Sequence, residues 1–195
     1  MNIVNVGYAS TNYYAIDIKN GKLLVDCGWP GTLPEFLKVL RRKDIAIHEV
    51  KYLLVTHFHP DHAGLVQELK NQGTKFILPE CQASHVGSFA SYFKEKPLPY
   101  VEIKQNDNIL LKLEDSRIFL AGLGLSGDIL HTPGHSDDSV TLVLDEGYAF
   151  TGDLHPALMN IEDPKTRASW DRIRQFKIKQ VFPGHGNLHG NYTDW

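Results

Sequence analysis

The pattern of apolar positions in the first third of the chain predicts a short strand pair followed by a helix. Residues 12–18 are rich in aromatic and β-branched side chains, and residues 22–25 are rich in Leu and Val. The Asn20-Gly21 pair between them favours the positive φ angles of a tight hairpin turn. Residues 33–40 then place apolar side chains at helical spacing, which predicts the first helix of the chain.

A second apolar run leads directly into the most unusual segment of the sequence. Residues 51–56 are too few for a helix and predict a buried strand, which ends at the polar segment 57–64. Apolar residues resume at helical spacing from Leu65, Gly73 ends that helix, and residues 74–78 resume a buried strand. These patterns predict a β-α-β unit with the polar segment at the end of its first strand.

The remainder of the chain predicts more sheet, flanked by two helices. Residues 79–94 and 164–177 have helical patterns, short strands alternate with turns over residues 101–150, and a last strand covers residues 180–182. Two sheets packed face to face, with helices outside, accommodate this order of elements. We therefore predict an α/β sandwich that forms a single domain over residues 1–195.

Composition supports an ordinary soluble enzyme-sized domain and excludes several partner classes. Apolar residues make up 42% and charged residues 22% of 195 residues, as in soluble globular proteins. The net charge is −3, and the one tight basic cluster is 41–43, so we expect neither nucleic acid nor an anionic membrane as partner. No apolar run is long enough to span a bilayer and no signal peptide is evident, which predicts a cytoplasmic location. Cys27 and Cys81 are too few for a disulfide framework, and we expect both to be reduced.

Histidine is the one residue type in excess, with ten residues in the chain. The segment His57-x-His59-x-Asp61-His62 carries four groups able to bind a metal. On an extended segment His57 and His59 point to the same side. When the chain then turns into a helix, Asp61 and His62 can fold back toward the same point. One short segment can therefore supply ligands to two metal ions.

Three later loops share the order of an apolar strand, a glycine and a metal-binding side chain. Their metal-binding residues are His135, Asp153 and His185, preceded by Gly134, Gly152 and Gly184. A glycine at this place lets the backbone turn sharply and approach a site closely. These loops predict further ligands for the same centre.

Together these motifs supply seven candidate ligands, in the order His57, His59, Asp61, His62, His135, Asp153 and His185. Their order and spacing resemble the ligand pattern of the metallo-β-lactamase superfamily of metallohydrolases, and the resemblance covers nearly the whole chain. Val25-Asp26-Cys27-Gly28 also looks like the early Asp-x-Gly turn of that family. The resemblance implies a four-layer αββα sandwich with the site at one edge between the sheets. It implies two metal ions, the first held by His57, His59 and His135, and the second by Asp61, His62 and His185. Asp153 would bridge the two ions.

The chemistry of these ligands predicts the metal and the reaction. Five imidazoles and two carboxylates, without a thiolate, suit two divalent ions, Zn²⁺ first and Fe or Mn²⁺ next. Two such ions can share a hydroxide that attacks the substrate. Asp61 is within reach of that hydroxide, which makes it a candidate to orient it as a catalytic residue. Asp26 is expected to support a ligand rather than to bind metal, by accepting a hydrogen bond from its imidazole.

The remaining histidines have mostly structural interpretations. His48 and His85 fit surface or structural roles, and His131 fits a structural or supporting role. His155 follows Asp153 by two residues, so we predict that it lies beside the metals as a catalytic residue that contacts substrate, with a supporting role as the alternative. His189 and Trp195 lie in the tail, where they either line the entrance or belong to a loose terminus.

The choice of substrate is less constrained than the metal site, since one site in this family serves many chemistries. The segment 132–136 and the turn 151–153 look most like the hydroxyacylglutathione hydrolases (glyoxalase II) and their short relatives. Those enzymes bind glutathione largely through an added C-terminal helical domain, and only ten residues follow His185 here, so we do not expect glutathione recognition. We therefore predict a binuclear hydrolase acting on a small ester, thioester or lactone. The acidic segment 136–139 is expected to disfavour anionic substrates at the rim.

Three alternatives remain open from the sequence. The same fold can hold a single iron and act as an oxidoreductase such as a persulfide dioxygenase. A β-lactam-hydrolysing enzyme is disfavoured, because Asp153 is present and a signal peptide is not. A non-catalytic metal-binding protein is disfavoured because all seven ligand positions are filled. The oligomeric state is not predicted.

Overall fold

A computed structural model describes residues 1–94, 96, 98–156 and 163–186, which form ten strands in two sheets. The first sheet has six strands in chain order: β1 (Ile3–Asn5), β2 (Tyr14–Ile18), β3 (Gly21–Val25), β4 (Val50–Leu54), β5 (Lys75–Pro79) and β6 (Ile109–Leu111). Strands β1 to β3 are antiparallel, and β3 to β6 are parallel. The second sheet has the order β10-β9-β8-β7, with β7 (Gly127–His131), β8 (Val140–Leu144), β9 (Tyr148–Gly152) and β10 (Gln180–Pro183).

Five helices cover the outer faces of the two sheets and complete the predicted αββα sandwich: α1 (Leu33–Arg42), α2 (Pro60–Ala63), α3 (Val66–Asn71), α4 (His85–Phe93) and α6 (Pro164–Arg174). A further helix, α5 (Ser116–Leu123), packs against the core between the sheets. Helices α1 to α4 share one buried apolar cluster with the first sheet. Trp170 and Ile173 of α6 pack with Val143, Ala149 and Val181 of the second sheet. The four layers of the predicted fold are therefore present.

Alternation along the strands explains how both faces of each sheet are filled. In β8, Leu142 and Leu144 belong to the core between the two sheets, whereas Val143 belongs to the core under α6. In β4, Leu54 faces the other sheet and Leu53 faces the helices. Successive side chains on a strand point to opposite faces, so a strand covered on both sides is apolar throughout.

Helix α5 corrects the prediction that residues 101–150 form only strands and turns. Leu120 and Leu123 are buried three residues apart, and Gly124 ends the helix in the left-handed conformation at φ +88°. Leu120 contributes to the core between the sheets, while Ile118 is 76% exposed. The spacing of these residues and the terminal glycine are helical signals in the sequence.

Smaller differences concern the ends of the predicted helices. The helix predicted over 79–94 is a 3-10 turn, Glu80–Gln82, followed by α4, and the last helix ends at Arg174. Thr32 and Glu35 have the spacing of a capping box, but the Thr32 side chain does not cap α1. Its hydroxyl instead donates to the carbonyl of Trp29 at 2.6 Å. A hydrogen bond to the preceding turn thus replaces the capping bond.

Two further expectations can be compared with the described residues. Cys27 and Cys81 are both free thiols, as predicted; Cys27 is buried and Cys81 is partly exposed. Among the residues described, none of the helices has the length and apolar character needed to span a membrane.

We predict that Leu120→Ala destabilises the protein strongly, whereas Ile118→Ala on the same helix does not. Truncating a fully buried Leu removes apolar burial and leaves a cavity, which costs about 2–5 kcal/mol of unfolding free energy. An exposed side chain away from other contacts changes it by about 0.5 kcal/mol or less. Urea denaturation of the two variants measures the difference. Equal losses in both variants would contradict the placement of α5.

Candidate metal centre

The seven predicted ligand residues all follow the carboxyl ends of strands at one edge of the sandwich. The segment containing His57, His59, Asp61 and His62 follows β4, and His135 lies in the loop after β7. The remaining two, Asp153 and His185, follow β9 and β10. Strands β7, β9 and β10 run in the same direction, because β8 is antiparallel to both of its neighbours and β10 is parallel to β9. Their ends therefore meet, as strand ends do at many ligand sites.

Within the described residues, these side chains form two groups that could each hold a metal ion. The first group is His57, His59, His135 and Asp153, and the second is Asp61, His62 and His185. In each group the ligand atoms lie within 4.8 Å of one another. The structure therefore brings all seven side chains together, with Asp153 grouped beside His57, His59 and His135.

The carboxylate of Asp153 lies close to imidazoles of both groups. Its Oδ2 lies 3.5 Å from Nε2 of His135 and 3.9 Å from Nε2 of His57, which belong to the first group. The same oxygen lies 3.3 Å from Nε2 of His185, and Oδ1 lies 3.2 Å from Nε2 of His62. One carboxylate therefore has both of its oxygens among imidazoles of the two groups.

Local backbone structure brings the clustered segment 57–62 to this point. His59 is the extended residue before α2, with φ −103° and ψ 154°, and Pro60 begins the helix. The backbone amides of His62 and Ala63 donate to the carbonyl of His59. Proline at the first helical position is favoured because its φ angle already suits a helix. The extended half and the helical half of the segment thus supply different groups.

Two glycines allow the loops to approach as closely as predicted. A Cβ atom on Gly184 would lie 2.5 Å from Oδ1 of Asp153 and 2.7 Å from Cε1 of His62. A Cβ on Gly152, whose φ is +54°, would lie 2.3 Å from Oγ1 of Thr56. Contacts this short are not tolerated, so a side chain at either position would push the loops apart.

The side chain of Asp26 fixes the position of the segment 56–62 through hydrogen bonds. It is buried, and its Oδ1 accepts the backbone N–H of Thr56 at 2.7 Å. Its Oδ2 accepts Nδ1–H of His62 at 2.8 Å, which is the predicted bond from an imidazole. Asp26 also adopts a left-handed backbone conformation with φ +62°, which is uncommon for a residue with a side chain. Its hydrogen bonds explain why that conformation persists.

Hydrogen bonds to Nδ1 orient two more imidazoles. The Thr56 hydroxyl donates to Asp26, and its oxygen lies 3.1 Å from Nδ1 of His57, placed to accept its proton. Nδ1 of His185 donates to the carbonyl of Ser10 at 2.7 Å. In His57, His62 and His185 the proton is thereby held at Nδ1, which leaves the lone pair of Nε2 for a metal.

Three buried atoms in the centre make no hydrogen bond of good geometry: Nε2 of His57, Nε2 of His62 and Oδ1 of Asp153, the last two lying 3.2 Å apart. Leaving a buried polar atom unpaired costs about 1–3 kcal/mol. Three such atoms within one cluster of imidazoles and carboxylates are compensated when a cation binds between them. The donor set therefore fits a divalent metal ion.

The pKa values in the metal-free protein follow from the same contacts. Burial disfavours the charged form of His62, but the carboxylates of Asp26 and Asp153 outweigh it and raise its pKa to about 10. Burial, reinforced by the neighbouring imidazoles of His62 and His59, lowers the pKa of His57 well below its ordinary value. A metal ion would therefore displace a proton from His62 but not from His57.

Comparison with known proteins identifies the family. The family model described as the metallo-beta-lactamase superfamily matches residues 6–185. The chain belongs to this superfamily. A beta-lactamase-like protein 2 homolog from Drosophila melanogaster is 30% identical over 185 residues, covering 91% of this chain and 59% of that protein. An atrochrysone carboxyl ACP thioesterase from Claviceps purpurea is 29% identical, covering 92% of this chain and 52% of that protein. The chain thus spans little more than half the length of these relatives.

Solved structures of the superfamily share the fold. The metallo-β-lactamase MIM-1 from Novosphingobium pentaromativorans superposes with a TM-score of 0.73 at 20% identity, covering 98% of this chain and 77% of that one. The subclass B3 enzyme BJP-1 of Bradyrhizobium japonicum has a TM-score of 0.69, also at 20% identity, covering 94% and 75% of the two chains. At this identity the likeness establishes the αββα superfamily fold alone.

The loop between β1 and β2 supports the second ligand group. This supporting role was not predicted from the sequence. The buried Thr11 hydroxyl donates to Oδ2 of Asp61 at 3.0 Å. Ser10 accepts from His185, and the backbone N–H of Asn12 donates to the carbonyl of Gly184 at 2.7 Å. Small polar residues in a hairpin loop carry no signal that distinguishes them from an ordinary turn.

Two other supporting residues were also missed, and one of them corrects an expectation. Asp138 is buried and accepts the backbone N–H of Phe58 at 2.7 Å, so it does not form an acidic rim. Asp137 is exposed, but Lys165 pairs with it at 2.7 Å. The buried Gln82 amide nitrogen contacts the carbonyls of Val55, Thr56 and Asp138 within 3.2 Å. The rim is therefore less negative than the sequence suggests.

The other histidines lie mostly where they were expected. His48 is exposed on a 3-10 turn, and Nε2 of His131 donates to the carbonyl of Asp137 at 2.8 Å. The exposed ring of His155 lies 5.7 Å from the ring of His135, measured between centroids, and outside both ligand groups. His85, expected at the surface, lines a cleft that also contains ligand residues. His189 and Trp195 lie outside the described residues.

We predict that zinc stabilises the protein more at higher pH. The raised pKa of His62 means that its charged form stabilises the metal-free protein fully below about pH 6.5, its ordinary pKa. This stabilisation is lost as pH rises toward about 10, and over the same range zinc displaces the proton more readily. The difference in Tm between zinc-loaded and chelator-treated protein should therefore grow from about pH 6.5 to 8.5. A difference in Tm that stays constant with pH would contradict this coupling. So would the same pH dependence of that difference in His62→Gln. The exposed-residue control His48→Ala should behave as the parent does.

Proposed function

We propose that this chain is a hydrolase that holds two divalent metal ions, zinc most readily, and cleaves a small ester, thioester or lactone. The observation that carries the proposal is Asp153, whose two oxygens lie among the imidazoles of both ligand groups. A carboxylate in this position suits two ions close together better than one. Superfamily membership and the unpaired buried atoms of the centre support the same assignment.

The proposed roles of the ligands follow from the two groups. His57, His59 and His135 would hold the first ion, and Asp61, His62 and His185 the second, with Asp153 between them. When bound, two such ions supply an activated water near neutral pH and positive charge for the oxygen that becomes negative during attack.

The surrounding residues keep these side chains in place. Asp26 and Thr56 orient His62 and His57 through their Nδ1 atoms. The Thr11 hydroxyl holds Oδ2 of Asp61, which lies 3.2 Å from Nε2 of His185. We propose that Asp61 both binds the second ion and orients the attacking water through its carboxylate. Residues fixed in this way require no rearrangement when substrate arrives, which favours the reaction.

Thioesters are the preferred substrate class. Three of the relatives are named thioesterases. The predicted likeness of segments 132–136 and 151–153 to short glyoxalase II-type members supports the same bond type. Two clefts with different lining residues border the centre, one beside His155 and the other along α4, which suits a substrate with an acyl arm and a thiol arm.

Metal analysis combined with a substrate panel tests the proposal. Protein purified without chelator should contain two equivalents of divalent metal and hydrolyse a thioester or a lactone, with the thioester preferred over both the lactone and a phosphodiester. Oxygen uptake should be absent. One iron per chain together with oxygen consumption would instead support the single-iron oxidoreductase, and protein without metal would contradict both.

We predict that His155→Ala lowers kcat without releasing metal. The His155 ring is adjacent to His135 but outside the ligand groups, so it can donate a hydrogen bond to the carbonyl under attack. A donor that acts mainly in the transition state contributes about 2–4 kcal/mol, so kcat should fall about ten- to a thousandfold with a smaller change in KM.

Two variants serve as controls for that measurement. His62→Ala should lose metal and activity together, and His48→Ala should retain both. Metal content is measured alongside the kinetics of each purified variant. Loss of metal in His155→Ala would make His155 a ligand or the support of one. Unchanged kinetics would leave it without a role in the reaction.

A further inference from the structure

One face of helix α4 borders a cleft that opens directly onto the metal centre. The cleft has a volume of about 550 Å³, within the range of about 300–1,000 Å³ typical of small-molecule sites. Its α4 side is formed by residues at positions i, i+3, i+4 and i+7 of one helical face: His85, Ser88, Phe89 and Tyr92. We call this space the α4 cleft.

The floor of the α4 cleft contains residues of both ligand groups. His59 belongs to the first group and Asp61 to the second, and both line the cleft. A molecule lying in it would therefore have one end at the proposed metal ions and the other along α4. The second cleft, of about 220 Å³, lies against His155 and Trp170 and is smaller. The larger part of a substrate fits the α4 cleft better.

The wall of the α4 cleft is aromatic toward the end of the helix. Phe89 is buried, with its ring centroid 5.4 Å from that of Phe58, which also lines the cleft. Tyr92 is 49% exposed, and its ring packs edge-on against Phe93 at 5.0 Å. A half-exposed ring held on a buried aromatic cluster offers a surface for a further ring, in stacked or edge-to-face geometry.

The charges around the α4 cleft leave this aromatic wall accessible to an uncharged ring. Asp137 at the opposite side is paired with Lys165, and Asp138 is buried. The Lys96 ammonium lies 5.0 Å from the centroid of Tyr92 and covers part of the ring by a cation–π contact. His85 and Ser88, nearer the start of the helix, supply polar groups.

We propose that the α4 cleft binds the acyl group of the substrate and that this group carries an aromatic ring, which packs on Tyr92 and Phe89. The preferred substrate is accordingly an aryl-substituted acyl thioester, and the thiol leaves through the cleft beside His155. Attack of water on the carbonyl carbon breaks the C–S bond, releasing the aromatic carboxylic acid and the thiol. This inference rests on the proposed hydrolase function and adds the substrate class to it.

The test compares two thioesters of N-acetylcysteamine, one phenylacetyl and one acetyl, with the zinc-loaded protein. The parent should favour the phenylacetyl substrate in kcat/KM by about tenfold or more, as expected when a ring is buried on aromatic side chains. Tyr92→Ala should reduce that preference about tenfold, chiefly through KM. Tyr92→Phe should retain the preference, because the ring is conserved. Ile118→Ala, which removes an exposed apolar side chain on α5, should keep both the preference and the activity.

Direct binding separates failure of this inference from failure of the hydrolase proposal. Titration calorimetry with phenylacetate and acetate, the product acids, requires no hydrolysis. Phenylacetate should bind more tightly than acetate, and Tyr92→Ala should remove the difference. If no thioester is cleaved but this pattern holds, the cleft assignment stands and the proposed thioesterase activity fails. If thioesters are cleaved but Tyr92→Ala leaves the preference intact, the cleft assignment is wrong. Absence of both cleavage and Tyr92-dependent binding also overturns it.

Discussion

The buried carboxylate of Asp26 is the constraint on which the centre depends. It joins the end of β3 to Thr56 after β4 and to His62 in α2, through bonds of 2.7 and 2.8 Å. A buried carboxylate without these partners would be very costly, so the three segments stabilise one another. Because the backbone carbonyl of His62 also accepts the backbone N–H of Cys27 at 2.9 Å, the segment carrying four metal-binding side chains is fixed in both position and direction. The left-handed backbone of Asp26 is the conformational cost of this arrangement.

The resulting centre is adapted to binding rather than to stability. Ring centroids of His57 lie 4.3–4.8 Å from those of His59, His62 and His135, which brings polar rings together around atoms that have no hydrogen-bond partners. Apolar residues of the same volume would pack there without unpaired atoms. Proteins accept such local losses at functional sites, where the missing interaction is supplied by what binds. The apolar cores between and outside the sheets provide the stability that offsets them.

The sequence predicted those features of the site that depend on residues close together in the chain. The segment 57–62 combines a strand end with a helix start, and glycines precede Asp153 and His185, so strand direction alone brings these residues to one edge. The roles of Thr11, Gln82 and Asp138 depend on contacts between residues far apart in the chain, which local patterns do not encode. Helix α5 was missed for another reason. Its helical spacing extends over only eight residues between strands, and the short apolar runs there resemble strands equally well.

The central claim is that two ions bind among these seven side chains, with Asp153 between them. Anomalous X-ray diffraction from crystals of the zinc-loaded protein, measured on both sides of the zinc absorption edge, tests it most directly. The account predicts two zinc peaks, one among His57, His59 and His135, and one among Asp61, His62 and His185. A single peak, or zinc bound away from these side chains, would contradict it.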